Sequence, residues 1–494
     1  MGYKPVHSCS MLMTALGSSF LLYSVAVVNP VQDVICNWLD GVYNERYHGF
    51  LGEAYLNDVW SVIVACLPLG AIFGALSTKI VAEKLGRRNG LVFNGVLAVA
   101  GSLSSLVCKP LHMPELLILG RLLHGFAMGL ASGLAPMYMM EITLCRHRGI
   151  AGSVHQVAVA FADWFSLFMG LPEIFGGKEN WQYALAFPGI LSALMVCVLP
   201  FMPESPKYLI RKKTSEKARK AAEKLVNPVE ANDFIKKLEK EKMEDFENHE
   251  GKNVYAQFIT DSKLRGKIMV TILGILAQQA TGCGAVFAFS TYMFVNVGIE
   301  GQLARFATVA IGIVYFLFTL MSSGLIERVG RRRLLLTQLF ICGTSLASIS
   351  FCTYMQEKNE NPLYSYSAIA SMIVYMAAYG LGSPVPWMIP NELFTTKHRS
   401  AAVTVSTFTC WTIMFIVSLT FMPLQQKLGM AFSYLPFVGA TFACAIALYF
   451  FLGETRHREN PVSLEAPERQ SIGNLSKDTV MTAGSDESIE PTTV

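Results

Sequence analysis

Charge is scarce in this chain: only 15% of its 494 residues are Asp, Glu, Lys or Arg, where a soluble globular domain carries about a quarter. With 52% hydrophobic residues and a mean hydropathy of +0.40, that scarcity excludes a soluble enzyme or binding module and leaves a multispan membrane protein. Other absences narrow the reading further. The 11 Cys have neither zinc-site nor disulfide-framework spacing; Cys66, Cys108, Cys283, Cys342 and Cys410 sit inside apolar runs and read as small packing residues. No Walker-type phosphate loop occurs, since GRRNG and GRRRL lack its pattern, so the chain has no ATP-driven step of its own. The start, MGYKPVHSCS, lacks a secretory signal, and Val6 breaks the myristoylation pattern. The net charge of +4 follows from loop Lys and Arg and calls for no nucleic-acid partner. No metal, cofactor or enzymatic constellation is evident.

What is present is a series of apolar runs, each near the roughly 20 residues needed to cross the hydrocarbon core. They fall at approximately 11–32, 58–82, 90–108, 115–140, 149–171 and 183–202, then 267–294, 303–326, 333–354, 364–390, 400–422 and 431–452. The expected fold is therefore an all-α membrane protein with twelve transmembrane helices in two pseudo-symmetric six-helix halves. Lys84, Arg87, Arg88, Arg146, Arg148, the basic residues of 207–267, Arg328, Arg331, Arg332, Arg333, Lys397 and Arg399 all fall on one side if the spans alternate. By the positive-inside rule that side, with both termini, is cytoplasmic. Residues 33–56 then form the longest outer loop.

The two halves carry the same signals in the same order. Span two ends in Arg87 and Arg88, and span eight in Glu327, Arg331 and Arg332. Each is followed by a Glu with an Arg seven residues on, Glu141 with Arg148 and Glu392 with Arg399. Each half closes on a further acid, Glu204 or Glu454. Single surface charges of this kind are worth little; two ordered copies point to a duplicated transporter with its site between the halves. Arg forks and carboxylates at helix ends can form ion pairs that hold the cytoplasmic side shut. This divides the chain into a cytoplasmic N-terminus (1–10), a first half (11–206), a helical cytoplasmic linker (207–266), a second half (267–454) and a tail (455–494). In the linker Ser215 reads as a helix N-cap. The tail is rich in Ser, Glu, Pro, Thr and Asp and reads as disordered; its end, Thr492-Thr493-Val494, fits strand addition to a PDZ-type groove.

Between Gly120 and Gln156 the chain reads GRLLHGFAMGLASGLAPMYMMEITLCRHRGIAGSVHQ. Gly125, Gly129 and Gly133 recur every fourth residue, a stripe that lets a second helix approach closely in lipid. This segment, with PESPKYLI, QQATGCGAVFAFSTYMF, ERVGRRRLLL and PVPWMIPNELF, resembles the sugar porter branch of the major facilitator superfamily. Within it the chain is similar to animal facilitative hexose transporters, over roughly residues 10–456 and in the right order. The resemblance implies sugar contacts at Gln156, Gln278, Gln279, Trp387 and Trp411. Each Gln amide donates and accepts as a sugar hydroxyl does, and Trp covers a C–H face. It also implies departures: where the family commonly has polar contacts, this chain has Gly284, Tyr315, Tyr379, Cys410 and Met414, and Ile275-Leu276-Ala277 replaces Gln-Leu-Ser. Tyr315 and Tyr379 either supply replacement hydroxyls or fill the cavity.

Asp163 is not explained by the family pattern. It lies in VAVAFADWFSLFMG, two helical turns after Gln156 and so on nearly the same face, about 10 Å further out. A central acid costs roughly 2.5–3.5 kcal/mol on insertion scales and usually faces a cavity or a partner, so Asp163 either lines the substrate path, carries a proton, or bonds a neighbouring helix. His124 reads as a packing or interhelical hydrogen-bonding group, and His155 need not face the cavity with Gln156. The function expected is facilitated diffusion of a hexose or related polyhydroxy solute by alternating access at the plasma membrane. The alternatives are a proton-coupled carrier using Asp163 and a non-transporting membrane sensor derived from the fold.

Overall fold

In hydrocarbon no water satisfies exposed backbone amides, so a spanning chain must pair its N–H and C=O groups internally. The computed structural model describes residues 3–453, apart from 51, 145–146, 213, 248–253, 360 and 395. Every element among the described residues is helical, with one isolated bridge between Tyr3 and Val226. Residues 1–456 form one compact unit.

Eleven described helices are long and apolar enough to cross a membrane: Pro5–Ala26, Ala54–Lys84, Arg87–Val107, Pro114–Glu141, Trp181–Phe201, Ser262–Asn296, Gly301–Ser322, Arg331–Asn359, Pro362–Leu393, His398–Leu428 and Met430–Phe451. A further helix of 22 residues, Arg148–Met169, stands fifth in chain order. His155, Gln156 and Asp163 make it the polar member of the set. The twelve are called below by their ordinal positions, so that Pro5–Ala26 is the first, Arg148–Met169 the fifth and Met430–Phe451 the twelfth.

Three expectations are corrected. The first helix begins at Pro5 and not near residue 11, and the segment read as an outer loop holds a 16-residue helix, Gln32–Tyr47. Asp33 in its first turn and Arg46 in its last complement the helix dipole. Its buried Ile35, Leu39 and Val42 recur on one face, and its Trp38 packs on Trp181 at 5.1 Å between ring centres. In the linker, Ser215 is the first helical residue and not the cap; Thr214 precedes the helix, and its hydroxyl donates to the Leu209 carbonyl at 2.9 Å.

Four of the described helices are broken, the twelfth briefly at Tyr434. The first passes through a 3-10 turn at Ser19–Leu22. The seventh is interrupted between Ala280 and Cys283, where Gly282 has φ +75°, a conformation that glycine alone adopts freely. The tenth breaks after Gly382, where Pro384 and Pro386 cannot donate to the preceding turn.

The glycine stripe acts as its spacing implies. A Cβ added at Gly125 or Gly129 would overlap the backbone of Leu67 or Ala71 in the second helix, and one at Gly70 or Gly74 would overlap Leu122 or Phe126 in return. The two helices are thus in backbone contact along their length. Gly125→Val is expected to cost about 1–3 kcal/mol by overpacking, read as a lowered thermal midpoint of the purified protein. Gly439→Ala, with nothing within 4 Å of the added methyl, is expected to leave the midpoint unchanged or slightly raised. Equal losses in the two variants would show that the close helix contact is not the cause.

Candidate functional site

The breaks in the seventh and tenth helices face each other, and side chains from one satisfy the other. The Gln278 amide donates from Nε2 to the Ser383 carbonyl at 3.0 Å and to the Tyr379 hydroxyl at 3.3 Å. Its Oε1 is buried without a hydrogen-bond partner. One residue on, Gln279 Nε2 donates to Cys410 Sγ at 2.9 Å while its Oε1 accepts from the Cys283 thiol at 3.3 Å. Tyr375 donates to the Thr281 carbonyl at 3.0 Å, inside the interruption. A buried amide with an unused acceptor is costly on its own and well suited to a ligand hydroxyl.

An aromatic cluster closes over these groups. Phe287 meets Tyr315 edge-on at 5.2 Å and Tyr379 at 6.1 Å, Tyr315 lies 5.7 Å from Tyr379, and Tyr375 stacks on Tyr379 at 6.2 Å. Trp411 and Met414 of the eleventh helix belong to the same buried cluster, and the Trp411 indole N–H has no partner. Asp163, 5% exposed, approaches from the fifth helix and lies within electrostatic reach of Tyr315 and Cys283. Its neighbours Phe161 and Trp164 pack on Phe316 of the eighth helix at 5.7 and 6.0 Å.

The structure therefore brings together Gln278, Gln279, Tyr379, Trp411 and Asp163 of the residues expected from sequence. Gln156 and Trp387 are half-buried, on the fifth and tenth helices. His155 is buried, and its Nδ1 pairs with the Ser19 hydroxyl of the first helix at 2.7 Å, while His124 pairs with Ser102 at 2.8 Å, the interhelical role expected of it.

Sequence reasoning missed the contact that ties the first helix to the seventh. Asn29 donates from Nδ2 to the Phe287 carbonyl at 2.8 Å and to the Ser290 hydroxyl at 2.7 Å, and its Oδ1 accepts from the Thr291 amide at 2.9 Å. Beyond it, Arg305 pairs with Asp33 at 3.4 Å and Gln426 donates to the Ala54 carbonyl at 3.2 Å. The two sets of six helices thus meet at this end of the bundle.

At the opposite, basic end the ion pairs connect helices of the same set. Arg87 grips Glu141 with Nη2 to Oε1 at 3.0 Å and Nε to Oε2 at 2.8 Å, and Ser205 donates a short hydrogen bond to the same carboxylate. Glu204 Oε1 accepts the backbone amides of Arg87, Arg88 and Ser205 at 3.0, 2.9 and 2.8 Å, an anion at the N-terminus of the third helix. The Arg88 guanidinium donates to the Pro200 and Met202 carbonyls, both at 3.0 Å. Arg331 repeats the first pairing with Glu392 at 3.0 Å, and Arg332 donates to the Tyr449 carbonyl at 2.6 Å. Glu454 and the Glu327 side chain lie outside the described residues.

An acid of the linker also meets this basic end. Glu241, on the helix Pro228–Glu247, pairs with Lys207 at 2.9 Å and Arg148 at 3.3 Å and lies within electrostatic reach of Arg399. The corresponding arginines of the two halves, Arg148 by an ion pair and Arg399 at longer range, thus both feel that one carboxylate. No period or spacing along the chain singles it out.

Comparison with known proteins places these features in context. A family model described as Sugar (and other) transporter matches residues 10–460. The chain is 31% identical over 448 residues to solute carrier family 2, facilitated glucose transporter member 3, of Canis lupus familiaris, covering 90% of this chain and 89% of that protein. It is 31% identical over 461 residues to member 7 of Mus musculus, covering 92% and 88%. The structure is similar to a partially occluded inward-open xylose transporter XylE from E. coli, with a TM-score of 0.73 at 21% identity, covering 92% of this chain and 99% of that one.

Burial alone would raise the Glu241 carboxyl, but Lys207 and Arg148 outweigh it and hold it below the usual range. A depressed folded value stabilises the docked linker fully above the unfolded carboxylate value of about 4.3, and that contribution is lost as pH falls through the folded value. Hydrogen exchange over residues 228–241 is expected to stay slow at neutral pH in the native protein and to quicken at the same pH in Glu241→Gln. Unchanged exchange in the variant would remove Glu241 as the anchor.

Proposed function

The chain belongs to the sugar (and other) transporter family, and from that membership we propose that it carries a hexose or related small polyhydroxy solute by facilitated diffusion through alternating access. What supports the reading above all is Gln278: its amide sits at the meeting of two helix breaks with one acceptor unused, where a discontinuous helix is tolerated because it lines a polar site. Gln279, Trp387 and Trp411 complete the sugar contacts, with Gln156 entering as the fifth helix closes on the solute. Residues 11–206 and 267–454 rock against one another. Asn29 locks them at one end, and the linker 207–266, through Glu241, sets how far Arg148 and Arg399 separate at the other. Arg87, Arg88, Glu141 and Glu204 hold the inner ends of the first half together, and Arg331, Arg332 and Glu392 those of the second; Glu327 and Glu454 take the corresponding places by sequence.

The excess of Lys and Arg at one end supports a plasma-membrane protein with both termini in the cytoplasm. Thr492 to Val494 offer a PDZ-type partner a carboxyl-terminal strand; loss of binding and surface targeting on deletion of Val494 is the expected result, and unchanged targeting would remove the partner.

The deciding experiment is radiolabelled uptake by proteoliposomes holding the purified protein, across hexoses, polyols and small organic anions, with and without a pH gradient. Saturable, competitor-sensitive equilibration without a gradient is expected. Gln278→Leu is expected to reduce it up to about tenfold, the worth of one neutral hydrogen bond. Accumulation only under an inward proton gradient would make the protein a symporter. Absence of uptake by folded protein would make it a membrane sensor.

A further inference from the structure

Asp163 is the feature that ordinary hexose recognition leaves unused. Its backbone carbonyl accepts from the Ser166 hydroxyl at 2.7 Å, but among the described residues no hydrogen-bond donor and no cation partners its carboxylate. The buried cation of the fourth helix does not act on Asp163: Arg121 donates from one guanidinium nitrogen to the Ser24 carbonyl, leaves its Nε and Nη2 without a partner among the described residues, and lies within electrostatic reach of Cys66 and His124. The groups within electrostatic reach of Asp163 are the Tyr315 phenol and the Cys283 thiol, both neutral. An isolated carboxylate kept away from water is strongly penalised unless it takes up a proton or something positive joins it.

Tyr315 belongs to a cluster of rings that attract positive charge. Tyr315, Tyr379 and Phe287 lie 5.2–6.1 Å from one another, close enough for one ammonium group to lie within about 6 Å of more than one ring centre. The unused Gln278 Oε1, on the side chain that donates to Tyr379, is an acceptor for a hydroxyl beside that ammonium. A carboxylate, an aromatic pair and an amide acceptor form a site for a cation carried on a polyhydroxy ring.

We infer that the wall formed by Asp163, Tyr315, Tyr379 and Phe287 recognises an ammonium group, so that the solute this carrier prefers is a protonated amino sugar and not a neutral hexose. The inference rests on the sugar-transport reading and narrows its substrate class. Asp163 pairs with the ammonium, the rings cover its remaining faces, and Gln278 and Gln279 bind the hydroxyls.

The test compares uptake of labelled D-glucosamine, N-acetyl-D-glucosamine and 2-deoxy-D-glucose by the reconstituted full-length protein, below the pKa of the amine. N-acetylation keeps the ring and removes the charge. Glucosamine is expected to be taken up with a KM at least tenfold lower than that of either neutral sugar, and Asp163→Asn to shrink that ratio at least tenfold while Asp163→Glu retains part of it. Neutral sugars carried as well as glucosamine by the native protein would overturn the inference and leave the sugar-transport reading standing. The same holds if Asp163→Asn lowers all three uptakes in equal proportion, which marks a structural acid, or if Asp163 serves only to couple neutral-sugar accumulation to a proton gradient. Uptake of none of the three by folded protein would overturn the sugar-transport reading itself. The native ratio decides the matter even if both variants fail to fold.

Discussion

The structure depends on the rule that a backbone polar group in hydrocarbon must find its partner within the protein. Twelve long helices satisfy it almost everywhere, and the two breaks that meet each other, in the seventh and tenth, are therefore the informative ones. At the break in the tenth helix, Pro384 and Pro386 remove donors, and a glutamine from the seventh helix supplies one to Ser383. At the break in the seventh, Tyr375 supplies a donor to Thr281. Each interruption is tolerated because the other lies against it. A pair of helices so joined presents carbonyls, amides and phenols to a buried centre, which continuous helices cannot do.

The same logic orders the two ends of the bundle. At one end a single amide side chain, Asn29, uses both its donors and its acceptor on the outer part of the seventh helix. A contact of this kind between neutral groups is worth roughly 1 kcal/mol per bond, strong enough to bias one arrangement and weak enough to release. At the other end the charge-assisted pairs Arg87–Glu141 and Arg331–Glu392 bind helices within each set of six, so each moves as a body. The contact that spans the two sets there passes through Glu241, on a peripheral helix outside the membrane core. Strong interactions thus build the rigid units and weaker ones lie between them, as rocking units require.

Much of this was legible in the sequence, and what was not has a common cause. Span lengths, the Gly125 and Gly129 stripe and the repeated Arg and Glu signals follow from local periodicity and could be read directly. The helix Gln32–Tyr47 was also legible, in Ile35, Leu39 and Val42, but a search for spanning runs passed over an amphipathic one. Asn29 and Glu241 were not legible: a lone Asn before a proline and one Glu in a charged helix acquire meaning only from partners about 260 and 90 positions away. Ser215 failed as a cap because its neighbour Thr214 bonds back to Leu209, a competition between side chain and backbone that composition does not reveal. In the candidate site, Gln278 and Gln279 came from a resemblance, whereas Asp163 came from physical cost alone.

That cost bears on how the site came to differ from a plain sugar site. At Tyr315 and Tyr379, Gly284 and Met414, the resemblance leads one to expect amides or an acid, and the chain has rings, a thioether and a bare backbone instead. Each neutral hydrogen bond forgone weakens a hydroxyl contact by about 0.5–1.5 kcal/mol, and several together would leave a neutral hexose poorly held. For an amino sugar the replacements would not be inert filling, because aromatic faces beside a desolvated cation contribute about 2 kcal/mol or more. An acid placed against those faces would recover, for a charged solute, what the missing amides do not offer a neutral one. For such a solute the absent amides, the rings and Asp163 would act as one recognition device and not three, since any one of them alone would weaken the site.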